Sequence, residues 1–184
     1  MNVPNFLAFV RLVLAVLLFA MLSHSNYFMN ELTIMHISWF NYFVALIFTI
    51  GSITDFFDGY IARAWNQKTR LGEVIDPLAD KMLTLAAFLG LMMMDRIEPM
   101  FIYLILVREF FITGFRVIVV SSGFDIAAKF SGKLKTVFQM LAIGFLMMDW
   151  PGGKILFYIC FILTIYSGVE YVLDYSKATK KECL

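Results

Sequence analysis

Apolar residues run along this chain in long blocks rather than in alternation, and the blocks share a common length. Windows poor in charge fall near residues 5–22, 37–60, 77–95, 98–120, 134–149 and 154–173. Each is close to the roughly 17–25 residues with which a helix crosses a hydrocarbon core of about 30 Å. The pattern predicts six transmembrane helices and an all-α integral membrane protein. The first window has no small-residue cleavage pattern behind it, so it counts as a retained helix and not as a signal peptide. Between the windows lie short polar breaks: 23–36 with Ser23, His24, Ser25, Asn26 and Asn30, then 61–76, 121–133 and the Trp-Pro-Gly-Gly turn at 150–153. No long linker or polar block interrupts the series, which predicts one six-helix domain over 1–184.

Composition sharpens this picture. At 61% hydrophobic and 16% charged residues, the chain departs far from the soluble average of about 45–50% apolar and 25% charged. A net charge of +1 gives no ground for a nucleic-acid partner; the partner the composition calls for is the lipid bilayer. Cys160 sits in an apolar run and Cys183 in the polar tail, which is no disulfide framework.

Loop charge sets the expected orientation. Arg63, Lys68 and Arg70 follow the second window, Lys129, Lys133 and Lys135 lie between the fourth and fifth, and Lys177, Lys180 and Lys181 follow the sixth. On the opposite side the 23–36 loop has no Lys or Arg, and Arg96 and Lys154 each stand alone. By the positive-inside rule both termini and the 61–76 connection face the cytoplasm. Trp39, Trp150, Tyr27 and Tyr42 fit an aromatic belt at the outer surface, and His24 and His36 fit the same interface.

Against this apolar background, residues 55–80 read D-F-F-D-G-Y-I-A-R-A-W-N-Q-K-T-R-L-G-E-V-I-D-P-L-A-D. A charged side chain within a membrane span costs roughly 2.5–3.5 kcal/mol on insertion scales, so four carboxylates need compensation, most simply divalent cations. Asp55 and Asp58 are three apart at the end of one helix, and Asp76 and Asp80 are four apart at the start of the next; each pair shares a helix face. Two antiparallel helix ends can then present four hard oxygen donors to one another. Two Mg²⁺ or Mn²⁺ ions about 3.5–4 Å apart in such a site neutralise a pyrophosphate and stabilise an in-line displacement. Gly59 and Ala62 leave room for close approach to the backbone, Arg63 offers a planar fork to phosphate, and Gly72 frees the loop before the second acidic pair. Asp58-Gly59 also suits a helix C-terminal turn, and Asp76-Pro77 an N-cap followed by Pro at the first helical position. Neither accounts for Asp55 and Asp80, one turn deeper.

Written as a pattern, the stretch is D-x2-D-G-x2-A-R-x8-G-x3-D-x3-D, and it resembles the signature of the CDP-alcohol phosphatidyltransferase family at all eight positions: Asp55, Asp58, Gly59, Ala62, Arg63, Gly72, Asp76 and Asp80. The wider wording, with V-R-E-F-F-I-T-G-F-R at 107–116 and G-K-L-K-T-V-F-Q-M at 132–140, is similar to the bacterial branch that makes phosphatidylglycerophosphate. The resemblance extends to a P-N-x-L start at 4–7 and to Arg11; it departs at Ala8, where relatives commonly carry Thr. It implies a six-helix membrane fold with a polar active-site cavity at the cytoplasmic face, a homodimer, and residence in a bacterial inner (cytoplasmic) membrane. It implies transfer of the phosphatidyl group of CDP-diacylglycerol to sn-glycerol 3-phosphate. It also implies that the four Asp ligate two Mg²⁺ or Mn²⁺ ions, that Asp80 is also the general base, and that Asp58, Gly59, Ala62, Arg63 and Gly72 hold the donor. Spacing alone leaves open which carboxylate is the base.

The helix reading can place three further cations, Arg108, Arg116 and Lys133, beside the acidic site. Arg108, beside Glu109, either fixes helix packing as an intramembrane pair or joins an anion site for the acceptor phosphate. Arg116 lies eight residues on, about 80° around the helix, so both can border one cavity. Lys133 and Lys135 point to different sides of their helix, and the resemblance favours Lys133 for the pocket. The expected acceptor-phosphate set is therefore Arg108, Arg116 and Lys133. Within the family the competing acceptors are phosphatidylglycerol, serine and inositol phosphate. A cation-coupled six-helix transporter is the rival from another class; it predicts internal repeats with acids near the midplane, whereas here the acids gather at one face and no repeat is evident.

Overall fold

The computed structural model describes residues 3–25, 37–64, 70–121 and 130–182, and within these the side chains of 3–5, 37–38, 55–64, 70–77, 80, 118, 120–121 and 177–182 fall outside the description. The described residues form α1 (Val3–Ser23), α2 (Ile37–Ala64), α3 (Arg70–Met93), α4 (Pro99–Ser121), α5 (Phe130–Met147) and α6 (Gly153–Glu182), with no strand among them. Every apolar window of the sequence falls on one of these helices. Two described segments, Phe6–Ser23 and Gly153–Ser176, are long and apolar enough to cross a membrane; Trp39–Thr54 and Lys81–Met93 are shorter apolar helices.

The 61–76 connection is shorter than the sequence suggests. Helix α2 continues to Ala64 and α3 starts at Arg70, so the Pro77 expected at a first helical position sits inside α3. Residues 61–64 and 70–76 are rich in Ala, Arg, Leu, Glu and Ile, good or adequate helix formers, and Pro77 removes one backbone donor without ending the helix.

By its contacts the chain divides into two compact units, one of 1–97 with 143–151, the other of 98–142 with 152–184. In the first, α1 packs on α3 and α2. Ala8, Arg11, Ala15, Leu18 and Leu22 form its buried stripe, at helical spacing, while Phe6, Phe9, Val13 and Val16 on other faces are exposed. A soluble helix turns a polar face outward; α1 is apolar nearly all round, as a helix in lipid is. Glycines let the helices close in, as small residues do in membrane packing. A Cβ on Gly90 would lie 2.5 Å from Leu22 Cβ, and one on Gly51 would lie 2.7 Å from Leu83 Cδ2.

One end of this unit is tied by backbone chemistry. Helices α3 and α5 both close in Schellman turns with an Asp, not a Gly, in the left-handed position: Asp95 at φ 55° and Asp149 at φ 57°. Arg96 N–H donates to Leu91 O at 3.0 Å and Trp150 N–H to Phe145 O at 2.9 Å. The Trp150 ring meets Phe145 edge-on at 5.3 Å, the apolar contact that accompanies such turns. Arg96 then caps the neighbouring helix, its Nη1 donating to Leu146 O at 2.6 Å and Met147 O at 2.7 Å, and its Nη2 to Asn41 Oδ1 at 2.9 Å. Burial draws the Arg96 guanidinium below its ordinary value, and the Asp149 carboxylate opposes that pull. Tyr42 closes the group, its hydroxyl accepting from Trp150 Nε1 at 3.4 Å.

In the second unit α4 and α6 run parallel. Phe101 meets Phe157, Tyr158 and Phe161 edge-on at 6.3, 5.4 and 5.1 Å, and Phe115 meets Tyr171 and Tyr175 at 6.2 and 5.0 Å.

The close approach at Gly90 carries a prediction. Gly90→Ala puts its methyl against Leu22 Cβ, which rotamer change cannot move, and is expected to destabilise the purified protein by about 1–3 kcal/mol. Gly114→Ala, with nothing within 4 Å of its added Cβ, is expected to be neutral. Thermal melts in detergent check both; equal effects would contradict the packing described.

Candidate active site

The eight signature positions all lie on helix. Asp55, Asp58, Gly59, Ala62 and Arg63 occupy the last three turns of α2, and Gly72, Asp76 and Asp80 the first three of α3. Their side chains lie outside the described residues, and among the described residues no group of three or more His, Cys, Asp or Glu gathers. The backbone register is nevertheless set by described neighbours. Asn41 at the start of α2 meets Arg96 just past the end of α3, and Gly51 meets Leu83, so the two helices are antiparallel. Four residues on from Gly51 is Asp55, and four back from Leu83 is Ala79, the neighbour of Asp80. Seven on is Asp58, and seven back is Asp76. The acidic positions therefore fall at two matched levels, 55 with 80 and 58 with 76. As a donor set, four carboxylates are the hard oxygen ligands that Mg²⁺ and Mn²⁺ take, which is the fit the sequence asks for.

The hydroxyls just before the motif are occupied. Thr49, Ser52 and Thr54 donate to Ala45 O, Phe48 O and Gly51 O at 2.7, 2.9 and 2.7 Å. Such bonds back to the helix satisfy a hydroxyl in an apolar setting. Ala8 is fully buried and brings no hydroxyl.

The basic candidates belong to the second unit. Arg108 is half-buried: Nη1 donates to Glu109 Oε1 at 3.2 Å and Nη2 to Ser167 Oγ at 2.8 Å. Its stem crosses Gly168, where an added Cβ would lie 2.9 Å from Arg108 Nε. Glu109 Oε1 also accepts from Lys135 Nζ. These contacts place Arg108 in a polar network with Glu109 and Ser167. Lys135 is buried and Lys133 exposed, the split expected of residues two apart on a helix. Arg116 is exposed, with its guanidinium carbon 5.6 Å from the Tyr171 ring centroid in a cation–π contact. Nearby on α5 and α6, Ser131 Oγ donates to Glu170 Oε2 at 2.5 Å. The sequence signals half of this cluster, since Glu109 in an apolar run demands a cation, but it does not say that Lys135 is a second partner or that Ser167 and Gly168 seat Arg108.

The family model described as CDP-alcohol phosphatidyltransferase matches residues 1–166. A Rickettsia typhi protein named CDP-diacylglycerol–glycerol-3-phosphate 3-phosphatidyltransferase is 32% identical over 179 residues, covering 92% of this chain and 94% of its own. Proteins of the same name from Bacillus subtilis and Escherichia coli are 36% and 33% identical, covering 69% and 74% of this chain and 70% and 80% of theirs. With the signature complete and the match running over most of its length, the chain belongs to the CDP-alcohol phosphatidyltransferase family.

Proposed function

We propose that this chain transfers the phosphatidyl group of CDP-diacylglycerol to sn-glycerol 3-phosphate, giving phosphatidylglycerophosphate and CMP. The observation that carries the reading is the shared name of relatives that match over most of the chain, joined to the complete eight-residue signature. The acceptor hydroxyl oxygen bonds to the phosphorus bearing diacylglycerol, the bond from that phosphorus to the CMP oxygen breaks, and the hydroxyl proton passes to Asp80. Asp55, Asp58, Asp76 and Asp80 hold two Mg²⁺ or Mn²⁺ ions; when bound, these supply charge neutralisation at the pyrophosphate. Gly59, Ala62 and Gly72 give the donor access to the backbone, and Asp58 and Arg63 bind the donor's CDP end. Arg116 and Lys133 take the acceptor phosphate. Arg108, tied to Glu109 and Ser167, stands two turns deeper on α4 as the inner edge of that acceptor set.

All six helices cross the bilayer of a bacterial cytoplasmic membrane, with both termini and the acidic motif on the cytoplasmic side. The apolar exposed face of α1, the loop charge asymmetry and the bacterial relatives support this topology. The family match spans residues of both compact units, which supports one functional domain. The resemblance supports a homodimer.

Variants at these positions separate the roles. For Arg116→Ala and Lys133→Ala, KM for glycerol 3-phosphate rises by the equivalent of about 1.5–3 kcal/mol, one charged hydrogen bond, with KM for CDP-diacylglycerol nearly unchanged. Arg63→Ala does the reverse, and Asp→Asn at 55, 58, 76 or 80 lowers the rate of CMP release by orders of magnitude. Unchanged glycerol 3-phosphate kinetics in both acceptor variants would contradict the assignment. Separately, Glu109→Gln leaves Lys135 and Arg108 facing a neutral group and is expected to destabilise by about 3–5 kcal/mol. Glu109→Gln with Lys135→Met is expected to recover part of that loss in a thermal melt.

A further inference from the structure

Arg11 lies in the middle of α1, within the segment most able to cross a membrane, and is fully buried. A guanidinium in that setting is retained only where an anion answers it. Its companions on the buried stripe of α1, Ala8, Ala15 and Leu18, are all apolar. What faces it across the helix pair follows from register. Leu22 of α1 abuts Gly90 of α3, both near the C-terminal ends of their helices, so α1 and α3 run parallel. Stepping back eleven residues on each helix brings Arg11 level with Ala79. That residue is fully buried too, and its methyl side chain leaves room for a long neighbour. Ala79 is flanked by Asp80, next in sequence, and by Asp76, almost one turn earlier.

We infer that Arg11 is the resident counter-charge of the acidic site, a positioning residue that holds the Asp76–Asp80 face of α3 when divalent cations are absent. This rests on the reading of the four Asp as a cation-binding set. The guanidinium presents a planar fork with several donors, suited to carboxylate oxygens. Four carboxylates brought to two matched levels repel one another, and one fixed positive charge lowers that repulsion in the cation-free protein. The same charge opposes an arriving dication. Removing Arg11 therefore weakens the cation-free protein more than the loaded one, whereas the loss of a packing residue weakens both alike.

The test is a thermal melt of the full-length protein in detergent, followed by tryptophan fluorescence, in EDTA and across a Mg²⁺ titration. Wild type, Arg11→Lys and Arg11→Met are compared. The expected result is a lower Tm for Arg11→Met in EDTA, largely recovered by Mg²⁺, so that its Mg²⁺-induced shift exceeds the wild-type shift by about 5 °C, the scale expected for one uncompensated charge in a chain of this size. Arg11→Lys keeps the wild-type shift. Should Arg11→Met fail to fold in EDTA, adding Asp80→Asn is expected to restore folding by removing a carboxylate, and a double variant that stays unfolded overturns the inference. Equal Mg²⁺-induced shifts in Arg11→Met and wild type overturn it as well. A wild type that Mg²⁺ does not stabilise overturns the cation-site reading itself.

Discussion

Carboxylates in an apolar medium are the constraint on which this protein depends. An ionised Asp in hydrocarbon is costly and four of them are worse, so the helices bearing them must end where cations and anionic phosphates can reach. The antiparallel register of α2 and α3 meets that condition. It brings positions 55 and 58 at the end of one helix level with 80 and 76 at the start of the next, with a short connection between.

What holds that register lies at the other end of the helix pair. Asn41 and Asp55 are about 21 Å apart along α2 at 1.5 Å per residue, and the Arg96 guanidinium joins Asn41 to the last carbonyls of α5 just past the end of α3. Gly51 of α2 meets Leu83 of α3 at mid-helix, and Gly90 of α3 meets Leu22 of α1 nearer the tied end. Rigid packing at mid-helix and a polar tie at one end leave the opposite end for chemistry. A phosphoryl-transfer site needs this arrangement, since catalysis there is mostly positioning and charge stabilisation. The second unit repeats the logic at smaller scale: Glu109 faces Arg108 and Lys135 deep in the pair, while Arg116 and Lys133 stay exposed.

The placement of the described helices was legible because hydrophobic length is a property of the sequence itself, and the motif stood out because four Asp in an apolar chain have few explanations. The limits of α2 and α3 were not, since Asp76-Pro77 imitates a helix start and nothing local says that α3 already begins at Arg70. Arg96 looked like a lone outer cation because its acceptors are carbonyls of Leu146 and Met147, about fifty residues away and without side-chain signature. The ends of α3 and α5 lacked the expected glycine, carrying Asp95 and Asp149 at positive φ. Between Lys133 and Lys135, helical geometry predicts that one is enclosed, but only the position of Glu109 decides that it is Lys135.

An acceptor panel distinguishes glycerol 3-phosphate from the other alcohols that could receive the phosphatidyl group. Purified protein with CDP-diacylglycerol and Mg²⁺ is offered glycerol 3-phosphate, serine, inositol phosphate or phosphatidylglycerol, and CMP release is measured with the lipid product. The account predicts rapid CMP release with glycerol 3-phosphate alone and phosphatidylglycerophosphate as product. Release with another acceptor and none with glycerol 3-phosphate would contradict it.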